Sequence, residues 1–114
     1  MSMTIDEVRE FALSLPESME VEHWGKPSFR LNNKIFTVMQ DDGITITVKI
    51  SAEDREMYTS MDPDTYSVPD SFSNLNYMNV NLRTVDPQEL KGLIQKAWSS
   101  VAPKRLVKAY SEGK

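Results

Sequence analysis

The chain has 114 residues, no cysteine, 39% hydrophobic residues and a formal net charge of −4. That length fits one domain with a single core, and the lack of cysteine excludes disulfides, thiolate zinc sites and a cysteine nucleophile. No apolar run approaches the ~20 residues of a membrane helix, and the net acidity means that any polyanion binding has to rest on local clusters of cations.

In chain order, Met1-Ser2-Met3-Thr4-Ile5-Asp6-Glu7 has neither the basic nor the apolar region of a signal peptide, so a cytoplasmic location without membrane association is expected. Thr4 with Glu7 three residues on is the pattern of a capping box. Ile5, Val8, Phe11, Ala12 and Leu15 then recur at helical spacing, which predicts a helix over 5–15, closed by Pro16. Residues 20–24 read as a short strand, with Val21 and His23 on one face and Glu22 and Trp24 on the other; Gly25-Lys26-Pro27 breaks it. Ser28 to Leu31 resumes extended structure, Asn32-Asn33 makes a two-residue turn, and Lys34 to Met39 is a strand. Asp42-Gly43 is the next turn.

Ile44 to Ile50 alternates without a fault, Ile44, Ile46, Val48 and Ile50 against Thr45, Thr47 and Lys49. A two-residue loop would pair Met39 with Ile46 and Thr37 with Val48, placing Ile35, Thr37 and Met39 on the core face and Lys34, Phe36 and Val38 on the other. Ser51 caps a short helix over 52–60, with Met57 and Tyr58 inward. Residues 64–76 read as an ordered loop held by Tyr66, Val68, Phe72 and Leu75, and residues 77–82 as a strand. Asp86-Pro87-Gln88-Glu89 is a capped helix start, and Leu90, Leu93, Ile94, Ala97, Trp98 and Val101 follow at helical spacing up to Pro103. A basic helical tail, 104–110, precedes a frayed end. The class is α+β: a bent antiparallel sheet of about five strands, an N-terminal helix, a short middle helix and a longer C-terminal helix, in one domain over 1–114.

No motif for chemistry stands out. His23 is the sole histidine and has no nucleophile or orienting acid at a recognisable spacing, so no catalytic residue is assigned. One histidine and scattered carboxylates give no metal-ligand spacing, and four isolated glycines give no phosphate loop, so neither a metal nor a cofactor is expected. Trp24 and Trp98 read as core or half-buried packing residues. Charge is uneven: residues 1–25 hold six acids and one base, residues 91–114 six bases and one acid. Lys26, Arg30, Lys49, Lys104 and Arg105 are the candidate nucleic-acid contacts, if the tail lies beside the sheet, with His23 and Trp24 next to any ligand.

Five segments together resemble the YjbR/MmcQ-like family of small bacterial proteins: Ala12-Leu13-Ser14-Leu15-Pro16, His23-Trp24-Gly25-Lys26-Pro27-Ser28-Phe29-Arg30, Lys34-Ile35-Phe36, Val48-Lys49-Ile50, and Ala97-Trp98 with Val101-Ala102-Pro103-Lys104-Arg105-Leu106. The resemblance implies a strongly bent, double-wing antiparallel sheet, similar in shape to a transcription-factor DNA-binding domain and also to type III secretion chaperones. It therefore implies nucleic-acid binding or, alternatively, a dimeric protein-interaction or chaperone-like module that uses the bent sheet and the Phe36/Val38 face; a monomer or homodimer is expected. Members usually carry a tryptophan and a basic-Gly-Trp segment in the region of 70–79; here Pro69 to Met78 has no tryptophan and no base.

Overall fold

The computed structural model describes residues 2–70 and 75–112. Its elements, in order, are α1 (Ile5–Ser14), β1 (Met19–His23), β2 (Lys26–Leu31), β3 (Lys34–Met39), β4 (Thr45–Lys49), α2 (Ala52–Met61), β5 (Tyr66–Ser67), β6 (Tyr77–Asn81), α3 (Pro87–Val101) and α4 (Lys104–Glu112). The strands form one antiparallel sheet in the order β1-β2-β3-β4-β6-β5, so the class is α+β as expected. The sheet has one strand more than the sequence suggests, because Tyr66 and Ser67 pair with Val80 and Asn79 inside what reads as a loop.

Local chemistry sets most boundaries. Thr4 accepts from the Glu7 N–H at 3.1 Å while the Glu7 carboxylate accepts from the Thr4 N–H at 2.9 Å, closing the capping box. Leu15, ahead of Pro16, is extended at φ −76° and ψ 140°, which ends α1. Asp86 sits at the N-cap of α3 but makes no side-chain cap bond. The expected capping box is absent there because the Glu89 carboxylate instead accepts from the buried Tyr66 hydroxyl. Pro103 separates α3 from α4, and α4 continues through Ser111 and Glu112, past the point where fraying is expected. Gly113, Lys114 and Phe72 lie outside the described residues.

Two hairpins and a bulge shape the first half of the sheet. Asn32 and Asn33 both take positive φ, 50° and 64°, the type I′ pattern whose twist matches that of the strands. β1 and β2 are joined the same way, but by Trp24 (φ 54°) and Gly25 (φ 82°), with His23 paired to Lys26. The break expected at Gly25-Lys26-Pro27 is therefore a tight hairpin, and Trp24 stands at its tip. Between β3 and β4 the register pairs Thr37 with Val48 and Met39 with Ile46, as the alternation predicts.

The register between β2 and β3 shifts. Phe29 faces Thr37 but Arg30 faces Ile35, so Phe36 is the extra residue of a bulge. Past the bulge the faces exchange: Phe36 is fully buried in the core and Ile35 is only half-buried, the reverse of the assignment made by alternation. Phe36 is thus not available as an interaction surface.

Core side chains of the strands (Phe29, Leu31, Met39, Ile46, Val48, Met78 and Val80) pack against Val8 and Ala12 of α1, Leu90 to Val101 of α3 and Leu106 of α4. Asp54 of α2 bonds Lys96 of α3 at 2.6 Å and Tyr58 packs edge-on against Tyr66, so α2 joins the same layer. Met57, expected inward, is exposed, because α2 lies at the rim of the layer and buries no residue fully. The four helices cover one face of the sheet, and no described helix lies on the other.

Candidate functional site on the open face of the sheet

Strand pairing sorts the side chains. Residues in register with the core residues point at the helices; their neighbours along each strand point away. The open face therefore holds three rows, read across the sheet from the registers. His23, Lys26, Gln40, Thr45 and Asn81 form one row, and Val21, Ser28, Val38, Thr47 and Asn79 the next. Met19, Arg30 and Ile35 begin the third, and Lys49 with Tyr77 continues it on β4 and β6, past the bulge at Phe36. Three of the five candidate cations, with His23, are thus brought to one surface. With strands about 4.8 Å apart and residues about 3.4 Å apart, Arg30 and Lys49 stand roughly 10 Å from one another, and Lys26 and Lys49 roughly 17 Å.

Among the described strand residues, this face carries no carboxylate, in a chain with 17 acids. Glu20 and Glu22 of β1 pair with Phe29 and Pro27 and so point to the helical side, where Glu20 accepts from Arg9 of α1 at 2.9 Å. Asp41 and Asp42 stand in the β3–β4 turn, at the edge of the first row. Asp42 is committed there: a hydrogen bond from the Thr45 hydroxyl, aided by the Ile44 and Thr45 N–H groups, holds its carboxyl below the usual range.

Polar side chains on the open face bond to one another across strands. Lys26 Nζ donates to Gln40 Oε1 at 2.7 Å, Gln40 Nε2 donates to Thr47 Oγ1 at 2.8 Å, and the Thr47 hydroxyl donates to Asn79 Oδ1 at 2.6 Å. The chain runs from β2 through Gln40, just past the end of β3, to β4 and β6 and fixes the Lys26 ammonium over the sheet. Arg30 is the second node. It donates to Ser28 Oγ at 3.1 Å, to Asn33 Oδ1 at 2.9 Å and to His23 Nδ1 at 3.2 Å. A guanidinium only donates, so Nδ1 is the acceptor and the imidazole proton sits on Nε2, which leaves a donor on the far side of the ring. Lys49 Nζ lies 5.7 Å from the Tyr77 ring centre, the third cation and the second aromatic on this face.

Trp24 is not the packing residue expected. It is 93% exposed, because a residue at the tip of a two-residue hairpin cannot reach the core. The His23 ring lies parallel to the indole, 5.4 Å between centroids and 5° between planes. Its positive φ is unfavourable for a large side chain and costs about 1–2 kcal/mol relative to glycine there.

The other two candidate cations lie elsewhere. Lys104 and Arg105 belong to α4, whose Leu106 packs into the core on the helical side, and Arg105 is 3.5 Å from the Glu17 carboxylate. Sequence reasoning missed Gln40 and Tyr77 as parts of the open face. Alternation along residues 77–82 turns Asn79 and Asn81 away from Val80 and Leu82, and the register sets Asn79 beside Thr47. A cleft of about 240 Å³ between β4, α2 and α3 is lined by Lys49, Asp54 and Lys96, but Lys96 is bonded to Asp54. Among the described residues, no group of three His, Cys, Asp or Glu could hold a metal ion, and no helix is long and apolar enough to cross a membrane.

A family model described as YjbR matches residues 13–100. Among solved structures, the crystal structure of a Deinococcus radiodurans protein carrying the family-model domain DUF419 aligns with a TM-score of 0.79. It is 19% identical and covers 90% of this chain and 81% of that one, a likeness of fold. No curated protein matches.

Proposed function

The chain belongs to the YjbR family, and from that premise we propose that it is a nucleic-acid-binding protein that uses the open face of its sheet. One observation carries this reading: an acidic chain keeps carboxylates off the described strand residues of one sheet face and sets Lys26, Arg30 and Lys49 there, two of them fixed by hydrogen bonds. Phosphate binding needs local positive potential, and fixed cations supply it at lower entropic cost than free ones. Lys104 and Arg105 play no part in this surface, since they stand in the helical layer.

The test is an anisotropy titration of a labelled oligonucleotide at about 50 and about 200 mM salt. Three phosphate contacts predict a loss of affinity of roughly twentyfold to fortyfold over that range. Lys26→Ala, Arg30→Ala or Lys49→Ala should each flatten the salt slope by about 0.7–0.9, whereas Arg105→Ala should leave it unchanged. No binding at the lower salt, or slopes untouched by all three substitutions, would reject the reading.

A protein-interaction role is the second reading, favoured by β1. It is an edge strand, and its Met19 is 62% exposed next to the exposed Val21. Sedimentation that shows a dimer dissolved by Met19→Lys, with no oligonucleotide bound, would favour this role.

A further inference from the structure

We infer that Trp24 is a base-stacking platform, and that the nucleic acid bound by the open face is single-stranded. The inference rests on the nucleic-acid reading above and adds the ligand's form and the residue that recognises it. Trp24 has two properties that folding does not explain. It occupies the first position of a type I′ turn, where Asn, Asp or Gly would be unstrained, and it is 93% exposed. The same chain uses Asn32-Asn33 in the neighbouring hairpin, so the relaxed solution is available to this fold. A large aromatic held in strain at a surface is a device for contact.

The contact it offers is a flat apolar ring. His23 stacks along one side of the indole and is itself held by Arg30, which fixes the hairpin tip relative to the cations. The opposite side of the indole is open. A base laid on it would have Lys26, one pair back from the tip, and the Arg30 guanidinium, which starts four pairs further along β2 but reaches back to His23, near its flanking phosphates. His23 Nε2–H adds a donor at the same place. At the far side of the face, Tyr77 beside Lys49 repeats the combination of ring and cation. Aromatic rings interleaved with cations on an open sheet suit bases that are already unstacked. In a duplex the base faces are buried in the helix, and such rings gain nothing from them.

Tryptophan emission reports the contact directly. Trp98 is fully buried in the core, so an added polymer quenches Trp24 selectively. The probes are an unlabelled oligo-dT and a mixed-sequence duplex of equal length. Oligo-dT should quench the emission and the duplex should not. Trp24→Asn should weaken oligo-dT binding about tenfold and duplex binding less than twofold, while its unfolding temperature stays at or above that of the parent chain. The relaxed turn of that variant separates lost stacking from lost folding. If Trp24→Asn binds oligo-dT normally and no quenching occurs, while Lys26→Ala and Lys49→Ala still weaken binding, the stacking role is wrong and the nucleic-acid reading survives. Preference for the duplex also overturns the inference, and absence of all binding overturns both.

Discussion

The two faces of the sheet use the same residue types in opposite ways. On the covered side, Trp98 is fully buried; its indole N–H donates to the Pro16 carbonyl at 3.0 Å and its ring tilts against Tyr110 of α4. One side chain thereby joins α3, α4 and the end of α1. On the open side, Trp24 touches only its neighbour His23 among the described ring contacts, and its backbone is strained. The threonines divide likewise. Thr37, on the covered side, is fully buried and its hydroxyl has no hydrogen-bond partner, whereas Thr47, on the open side, is almost as buried but bonds both Gln40 and Asn79. One face is built to exclude water and tolerates polar atoms badly; the other is built from polar atoms that hold one another in place.

The largest test of this contrast is at the tryptophans. Trp98→Ala removes a fully buried ring and its hydrogen bond, and should destabilise the fold by about 3–5 kcal/mol in a denaturant titration. Trp24→Ala should cost less than about 0.5 kcal/mol, because an exposed tip residue loses little on truncation. Equal losses would mean that Trp24 packs on something in solution.

Tyr66 gives the next effect. Its hydroxyl is buried and donates to Glu89. Burial first, and then the Glu89 hydrogen bond and charge, push its ionisation well above the ordinary tyrosine range. The folded state thus holds this proton more tightly than the unfolded chain. The stability it contributes is complete below the ordinary tyrosine value of about 10 and is lost as pH rises beyond it. Tyr66→Phe should cost about 1 kcal/mol at neutral pH through the lost bond, and it should reduce the fall in stability above pH about 10. An unchanged alkaline limb would place the titration elsewhere.

What could be read from the sequence was what nearby residues decide. The Thr4–Glu7 box, the Asn32-Asn33 turn and the pairing of Met39 with Ile46 each depend on a few adjacent positions. The bulge at Phe36 was not legible, because it arises only when β3 meets β2 and exchanges the faces of Ile35 and Phe36. The Trp24-Gly25 turn was hidden because tryptophan is a poor choice for positive φ, so local preference pointed to packing instead. Strand β5 exists only through its partner β6. The candidate site was half legible for the same reason. Alternation along β4 put Lys49 on the face away from the core, but which face Lys26 and Arg30 share with it depends on the register of three strands. The exclusion of Lys104 and Arg105 depends on where α4 docks.

The smallest effect isolates a single atom. Thr37→Val and Thr47→Val are the same substitution on neighbouring central strands, so β-propensity and methyl burial change alike in both. What differs is the hydroxyl. At Thr37 its loss removes a buried group without a partner and should stabilise the fold by about 1 kcal/mol. At Thr47 its loss leaves the Gln40 amide and the Asn79 carbonyl unpaired on a half-buried surface and should destabilise by about 1 kcal/mol. Denaturant midpoints moving in opposite directions would establish that the open face is a bonded polar surface. That bonding also holds Lys26, through Gln40, so Thr47→Val should weaken oligonucleotide binding although Thr47 itself carries no charge. Thr37→Val, which touches none of that chain, should leave binding alone; midpoints that shift together would mean that the two faces are not chemically distinct.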